Sequence, residues 1–227
     1  MGINKQLNKL YSNKWNDFLK MEKVLGYEGI LNYSSPLLMY CWEDEYNNCN
    51  KKLLFVGQET NSWFECGSSL DKNSLKQVIT NYEEFELANG YNSPFWRFIK
   101  ELNSRFNDTE YCYLWTNINK FGQHGAEGRP DPKVLDLESE YFNILKDELT
   151  ILKPDAVIFL TGPNYDNDII NKLGATEFLE CSDHTSREFA QLKNKYLPKK
   201  SFRIYHPNYL SHSKMFDEYL DILSKLI

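Results

Sequence analysis

The chain has no run of the roughly 18 consecutive apolar residues that a membrane helix requires. Its first residues, Met1-Gly2-Ile3-Asn4-Lys5, lead into a polar, lysine-rich segment instead of the apolar stretch of a signal peptide. These absences predict a cytoplasmic protein with no membrane partner. A lipid anchor is not expected either, because Gln6 stands where a myristoylation start needs Ser or Thr. Cysteine is sparse: Cys41, Cys49, Cys66, Cys112 and Cys181 make an odd number without a C-x-x-C pair, which points away from a disulfide framework and from a compact zinc site. They read as reduced thiols, mostly packing residues, and no metal or other cofactor is expected. Internal repeats, low-complexity tracts and linkers are lacking as well. With 41% hydrophobic and 15% aromatic residues, the 227-residue chain reads as one domain over residues 1–227 that fills a sizeable core, with an N-terminal helical extension over about residues 1–50.

Positive charge is also in short supply. A net charge of −6 argues against a nucleic-acid partner, since phosphate binding is driven by Lys and Arg. The distribution qualifies the sum: Arg187, Lys193, Lys195, Lys199, Lys200, Arg203 and Lys214 face a single acid, Glu188, between residues 187 and 214, whereas residues 111–180 hold six basic against twelve acidic residues. The basic stretch surrounds His206 in the sequence. It reads either as a solvated surface or as a phosphate-contacting one.

Four short apolar runs each end in a polar cluster. They are Leu53-Leu54-Phe55-Val56 into Gly57-Gln58-Glu59-Thr60-Asn61, Tyr113-Leu114-Trp115 into Thr116-Asn117, Val157-Ile158-Phe159-Leu160 into Thr161-Gly162, and Phe202-Arg203-Ile204-Tyr205 into His206-Pro207. Such runs read as buried strands near 52–57, 111–116, 156–161 and 202–206. Helical spacing at Leu7, Leu10, Tyr11, Trp15, Phe18 and Leu19 predicts an N-terminal amphipathic helix. Further helices are predicted around 75–87, from a Ser93-Pro94 cap through Phe106, from Pro132 through about Leu152, around Ile169, and from about Ser213. Tyr33 to Asn50 reads as a long connection. The economical architecture is α/β, a mostly parallel four-stranded sheet with helices on both faces. Ligands of such sheets bind beyond the carboxyl ends of the strands, where the four polar clusters would meet.

Glu59 is the acid of the first cluster, suited to orient or activate water, with Gln58, Thr60 and Asn61 around it as hydrogen-bond partners. It reads equally as an exposed turn residue. Asn117 carries an acceptor and a donor side by side, the pattern that grips an amide-like base edge, although a lone Asn after a strand also forms turns. His206 is placed to donate to a developing anion, or to serve structure alone. Trp63 and Phe64 read as stacking partners for a planar ring or as core.

Taken together, these segments resemble the uracil-DNA glycosylase superfamily. Val56-Gly57-Gln58-Glu59 is similar to its first active-site motif, a strand ending in Gly-Gln-Asp-Pro or Gly-Glu-Ala-Pro. Thr116-Asn117-Ile118-Asn119-Lys120, the Arg129-Pro130 loop, Leu152-Lys153-Pro154-Asp155 and the strand into Thr161-Gly162 are similar, in order and spacing, to the branch that usually carries an iron–sulfur cluster. Tyr205-His206-Pro207-Asn208-Tyr209-Leu210 resembles the second motif, His-Pro-Ser followed by a leucine. The likeness spans roughly Leu53 to Ser211. Departures are plain: Phe121 and Leu137-Glu138-Ser139-Glu140 supply none of the cluster cysteines, the motif acid is Glu59, and Thr60 replaces the following proline.

The resemblance implies a three-layer α/β/α sandwich and a metal-free glycosylase acting on a base flipped out of single- or double-stranded DNA, while the missing cysteines predict no iron–sulfur cluster and the protein is expected to be a monomer. Glu59 and His206 would be catalytic, one orienting water and the other stabilising the departing base anion. Gln58, Asn61, Trp63, Phe64 and Asn117 would hold the base. Asn208, Tyr209, Leu210, Ser211, His212 and Lys214 would contact the DNA, with Tyr209 or Leu210 as a wedge and Ser211, His212 and Lys214 on phosphates. The rival reading is a glycosylase-fold module that binds nucleic acid, a nucleotide or a protein without cutting.

Overall fold

A computed structural model describes residues 1–61, 63–64, 70–71 and 74–227. In chain order its elements are α1 (Ile3–Tyr27), α2 (Glu43–Asn47), β1 (Leu53–Gly57), α3 (Ser74–Glu84), α4 (Pro94–Ser104), β2 (Tyr113–Asn117), α5 (Pro132–Tyr141), α6 (Leu145–Leu152), β3 (Ala156–Phe159), α7 (Asp166–Leu173), β4 (Glu177–Glu180), β5 (Phe189–Lys193), β6 (Lys200–Ile204), α8 (Pro207–His212) and α9 (Phe216–Leu226). The fold is α/β, and the four apolar runs do form parallel strands, in the spatial order β2-β1-β3-β6. The sheet is nevertheless larger and mixed. It has six strands, because β5 and β4 continue it as an antiparallel hairpin beyond β6.

Every residue of β1 and β2 is buried, which is why these strands read as unbroken apolar runs. The chain leaves β1 for β2 on one side and returns past β1 to β3 on the other. Right-handed crossovers then put the intervening helices on opposite faces of the sheet. Most helix contacts fall into two groups, α1 packing on α5 and α6, and α4 packing on α8 and α9, while α1 also touches α3. Connections diverge between β1 and β3, so a crevice opens at their carboxyl ends.

Helix α1 buries Leu7, Tyr11, Trp15, Phe18, Met21 and Leu25 in the same core as the sheet. Phe18 stacks on Phe121 and meets Phe142. Phe142 also ends the helix expected to run from Pro132 to Leu152: it turns into the core with no exposure, and α5 and α6 form on either side of it. Below the strand ends lie two fully buried ion pairs. Lys120 Nζ is 2.6 Å from Glu148, whose other oxygen accepts from the Tyr11 hydroxyl at 2.9 Å. Lys172 pairs with Glu138 at 2.5 Å. Charges so placed hold only while both partners remain, since removing one leaves the other desolvated and alone.

Two readings of the cysteines change. Cys49 and Cys112 are joined in a disulfide, their Cα atoms 5.5 Å apart, although 63 positions separate them in sequence. Cytosolic reductants work against such a bond. Cys41 is free and buried, and burial pushes its thiol up to about 12. Cys181 is free and partly exposed, and Cys66 falls outside the described residues. Among the described residues no helix is long and apolar enough to cross a membrane, and no three His, Cys, Asp or Glu side chains are grouped to hold a metal ion.

Candidate nucleobase cleft

A cleft of about 880 Å³ opens at the carboxyl end of the parallel strands, and Glu59, Asn117 and His206 all line it. β1 ends on Gly57, directly opposite Asn117 of β2. No other residue fits there, because a Cβ at Gly57 would overlap Asn117 Oδ1 and press on Trp115 and Phe95. The buried connection before β1 braces the same end: the Ser34 hydroxyl shares a 2.8 Å hydrogen bond with Thr60 and accepts from the Gly122 amide. A side chain at position 122 would collide with the Thr60 carbonyl. Thr60 is thus a buried tie between the end of β1 and the connection before that strand.

Each polar group in the cleft is held in one orientation. Asn117 Oδ1 accepts from the Trp115 indole at 3.1 Å, and because an indole N–H can only donate, the amide cannot flip. Its Nδ2 is buried without a partner, leaving a donor at the cleft wall. His206 caps α8, its Nδ1 accepting from the Asn208 amide at 3.3 Å, so the neutral ring carries its proton on Nε2. Its ring stacks on Phe95 with centroids 5.4 Å apart. Burial lowers the imidazole to about 4, keeping it uncharged at neutral pH.

Burial raises the Glu59 carboxyl above its ordinary range, against the pull of the Tyr165 hydroxyl, the Arg129 guanidinium and the Asn119 amide, while Asp168 pushes it up further. The Tyr165 hydroxyl sits 2.8 Å from each carboxylate oxygen. Arg129 lies 4.0 Å over the Tyr165 ring and grips Asp168 with two hydrogen bonds, at 2.8 and 2.7 Å. The motif acid therefore stands at the head of a chain of contacts running through Tyr165 and Arg129 to Asp168.

The remaining expected site residues divide. Gln58 lines the cleft, but its amide donates to the Thr161 carbonyl at 2.8 Å, fastening the end of β1 to that of β3. Asn61 lies at the exposed mouth, bonded to Glu127. Trp63 is buried against Trp115 and Phe85, and Phe64 is half-exposed at the rim. On α8, Asn208 lines the cleft and Tyr209 is half-exposed. Leu210, expected as a DNA contact, is corrected: with no exposed surface it anchors α8 to the core and cannot reach a duplex. Ser211 is half-buried, and His212 and Lys214 are exposed just beyond.

The basic stretch does not surround the site. Lys193 ends β5 and Lys200 begins β6, so Lys193, Lys195, Lys199 and Lys200 gather at the opposite end of the sheet. Arg203 is wholly buried, bonded to Asp166 and to the Ser186 and Arg187 carbonyls. Among the described lining residues there is no Lys or Arg.

Sequence reasoning passed over Tyr165 and Phe95. Tyr165 follows the strand-end glycine Gly162 by three residues, so the strand-end rule that found Glu59 extends to it. Phe95 sits in the first turn of α4, behind the Ser93-Pro94 cap that was legible, and nothing marked its ring as the partner of His206. No family model matches the chain, and no curated protein matches it.

Proposed function

We propose that the protein is a DNA glycosylase that hydrolyses the N-glycosidic bond of a flipped uracil or other damaged or modified base. One observation carries the reading. A neutral imidazole with its proton on Nε2, a partnerless amide donor on Asn117 and the carboxylate of Glu59 converge on an aromatic-walled cleft at the divergence point of a parallel sheet. The helix groups packed on either side of that sheet fit the three-layer arrangement of the superfamily that the motifs resemble.

In the proposed reaction the bond between the sugar C1′ and the base nitrogen breaks, and its electron pair leaves with the base. His206 Nε2–H donates a hydrogen bond to the resulting anion, which the neutral ring can do because Nδ1 accepts from Asn208 and the proton is on Nε2. The Asn117 amide holds an acceptor on the base edge, and Trp63 and Phe64 contact the ring. Glu59 orients the water whose oxygen bonds to C1′; the proton that water loses is taken by the carboxylate and passes to the base anion, giving an abasic sugar and the neutral free base. Asn208, Tyr209, Ser211 and His212 on α8, with Lys214 just beyond it, would contact the strand. The iron–sulfur cluster of the resembling branch does not fit this chain: the corresponding segment supplies Phe121 and a Glu138 carboxylate already paired with Lys172 in the core.

A second reading, a module that binds without cutting, is favoured by the Tyr165 hydroxyl contacting both oxygens of Glu59, which leaves the carboxylate less free to take a water. Single-turnover base release separates the two. Oligonucleotides carrying uracil, deaminated purines or bulky modified bases should yield abasic sites, and His206→Ala and Glu59→Gln should each slow release by about 10²–10³-fold. No release from any of these substrates, or unchanged rates in both folded variants, rejects the catalytic reading.

A further inference from the structure

We infer that the rim of the cleft is a stacking platform for a single strand, so that the substrate class is single-stranded DNA recognised through base faces instead of phosphates. This deepens the proposed function and rests on it for the identity of the ligand. Four aromatic side chains are about half or more exposed among the described residues, Tyr27, Phe64, Tyr91 and Tyr209. Two of them, Phe64 and Tyr91, line the cleft, and Tyr209 stands on α8 next in sequence to the lining residue Asn208. Each leans on a second ring behind it, Phe64 on Trp63 at 5.1 Å, Tyr91 on Phe85 at 5.4 Å and Tyr209 on Tyr205 at 4.6 Å. The rings are thus braced while about half of each side chain stays exposed, and an exposed ring is what stacks on an unpaired base.

The segment carrying Tyr91 is also built at a cost. Glu86, Leu87 and Ala88, between Phe85 and Tyr91, all take left-handed backbone angles, with φ of 46°, 50° and 61°. Hydrogen bonds from the Tyr113 hydroxyl to the Leu87 carbonyl and from Lys100 to the Ala88 carbonyl hold that turn. Left-handed backbone is unfavourable for residues with a Cβ and persists where the surroundings enforce it.

Charge selects between strand forms. A duplex hides its base faces and offers phosphates, which Lys and Arg must neutralise. The described lining has neither, and it includes Glu59 and Glu127, while the lysines of residues 193–200 sit at the other end of the sheet. An unpaired strand carries phosphates too, but unlike a duplex it offers base faces to the exposed rings, so stacking can supply grip that a lining without Lys or Arg does not.

The test is a fluorescence-anisotropy titration of the whole protein with a 15-nucleotide single strand and its blunt duplex at two salt concentrations, neither carrying a modified base. The single strand should bind at least about tenfold tighter, with a log–log salt slope smaller than about 2, against the 6–9 of a protein that contacts many duplex phosphates. Tyr91→Ala and Tyr209→Ala should each weaken single-strand binding by about 5- to 100-fold, and Tyr91→Phe and Tyr209→Phe should restore it, because stacking uses the ring and not the hydroxyl. Equal or tighter duplex binding, a steep salt slope, no binding of either form, or indifference to loss of both rings overturns the platform. Base release on duplex alone rejects it while sparing the glycosylase reading. Single-strand preference without release from any base does the reverse.

Discussion

Tyr165→Phe removes one hydroxyl and keeps the ring beneath Arg129. In the native site that hydroxyl is 2.8 Å from both oxygens of Glu59. A hydrogen bond to a charged group contributes about 1.5–3 kcal/mol, and one between neutral groups about 0.5–1.5 kcal/mol. The cost of the substitution therefore depends on whether Glu59 is ionised. Burial already holds its pKa above the usual carboxylate range, and the Tyr165 hydroxyl is the strongest influence pulling it back, so deletion raises it further. Between the unfolded and the folded pKa the folded chain keeps a proton that the unfolded chain has released. Stability consequently falls as pH rises through that window and is lowest above the folded value. The variant extends the window upward. Its deficit against the parent in urea unfolding should be about 1.5–3 kcal/mol near pH 7 and shrink to about 1 kcal/mol near pH 4, where both carboxyls are largely protonated. A carboxyl-carbon NMR titration should show the Glu59 midpoint moving up. A deficit of the same size at both pH values, or a midpoint that moves down, refutes the idea that the hydroxyl serves the ionised carboxylate.

Gly57→Ala should cost about 2–4 kcal/mol, from overpacking plus the displaced Trp115–Asn117 hydrogen bond, seen as a lower urea midpoint at unchanged slope; a change under about 0.5 kcal/mol would mean the strand end yields freely. The His206 imidazole should titrate by NMR near 4. Because the folded ring refuses a proton that the unfolded ring accepts, His206 should make stability fall as pH drops from the ordinary histidine range towards that value, and base release should show no limb near the ordinary histidine pKa. Reducing Cys49–Cys112 should lower stability by up to about 4 kcal/mol, the chain-entropy value for its 63-residue separation; a midpoint indifferent to dithiothreitol would exclude that contribution.

How much was legible depended on how local the signal was. The parallel strands could be read because each is buried on both faces, leaving unbroken runs such as Leu53-Leu54-Phe55-Val56. The hairpin could not, since Glu177-Phe178-Leu179-Glu180 and Phe189-Ala190-Gln191-Leu192-Lys193 both mix polar and apolar residues, the first of them at a half-exposed edge. Phe142 continued the helical spacing on paper, and only the core it enters shows why the helix breaks there. Glu59, Asn117 and His206 were found from their places at strand ends. Their supports were out of reach: Tyr165 lies 106 positions from the acid it holds, and nothing in the spacing of Cys49 and Cys112 pairs them. Clustering of basic residues in sequence misled because β5 and β6 run antiparallel, which carries residues 193–200 away from His206.

The far edge of the sheet governs how copies of this protein meet one another. Beyond β5 the ladder stops at β4, whose outer row of backbone amides and carbonyls has no further strand to pair with among the described residues. An open edge of that kind templates aggregation, and natural sheets blunt it with shortness and charge. β4 is four residues long and carries exposed glutamates at both ends, Glu177 and Glu180. A second molecule docking there edge to edge would have to bring two glutamate pairs together and strip them of water. Two ordinary surface carboxylates thus help to keep this sheet at six strands in a crowded solution.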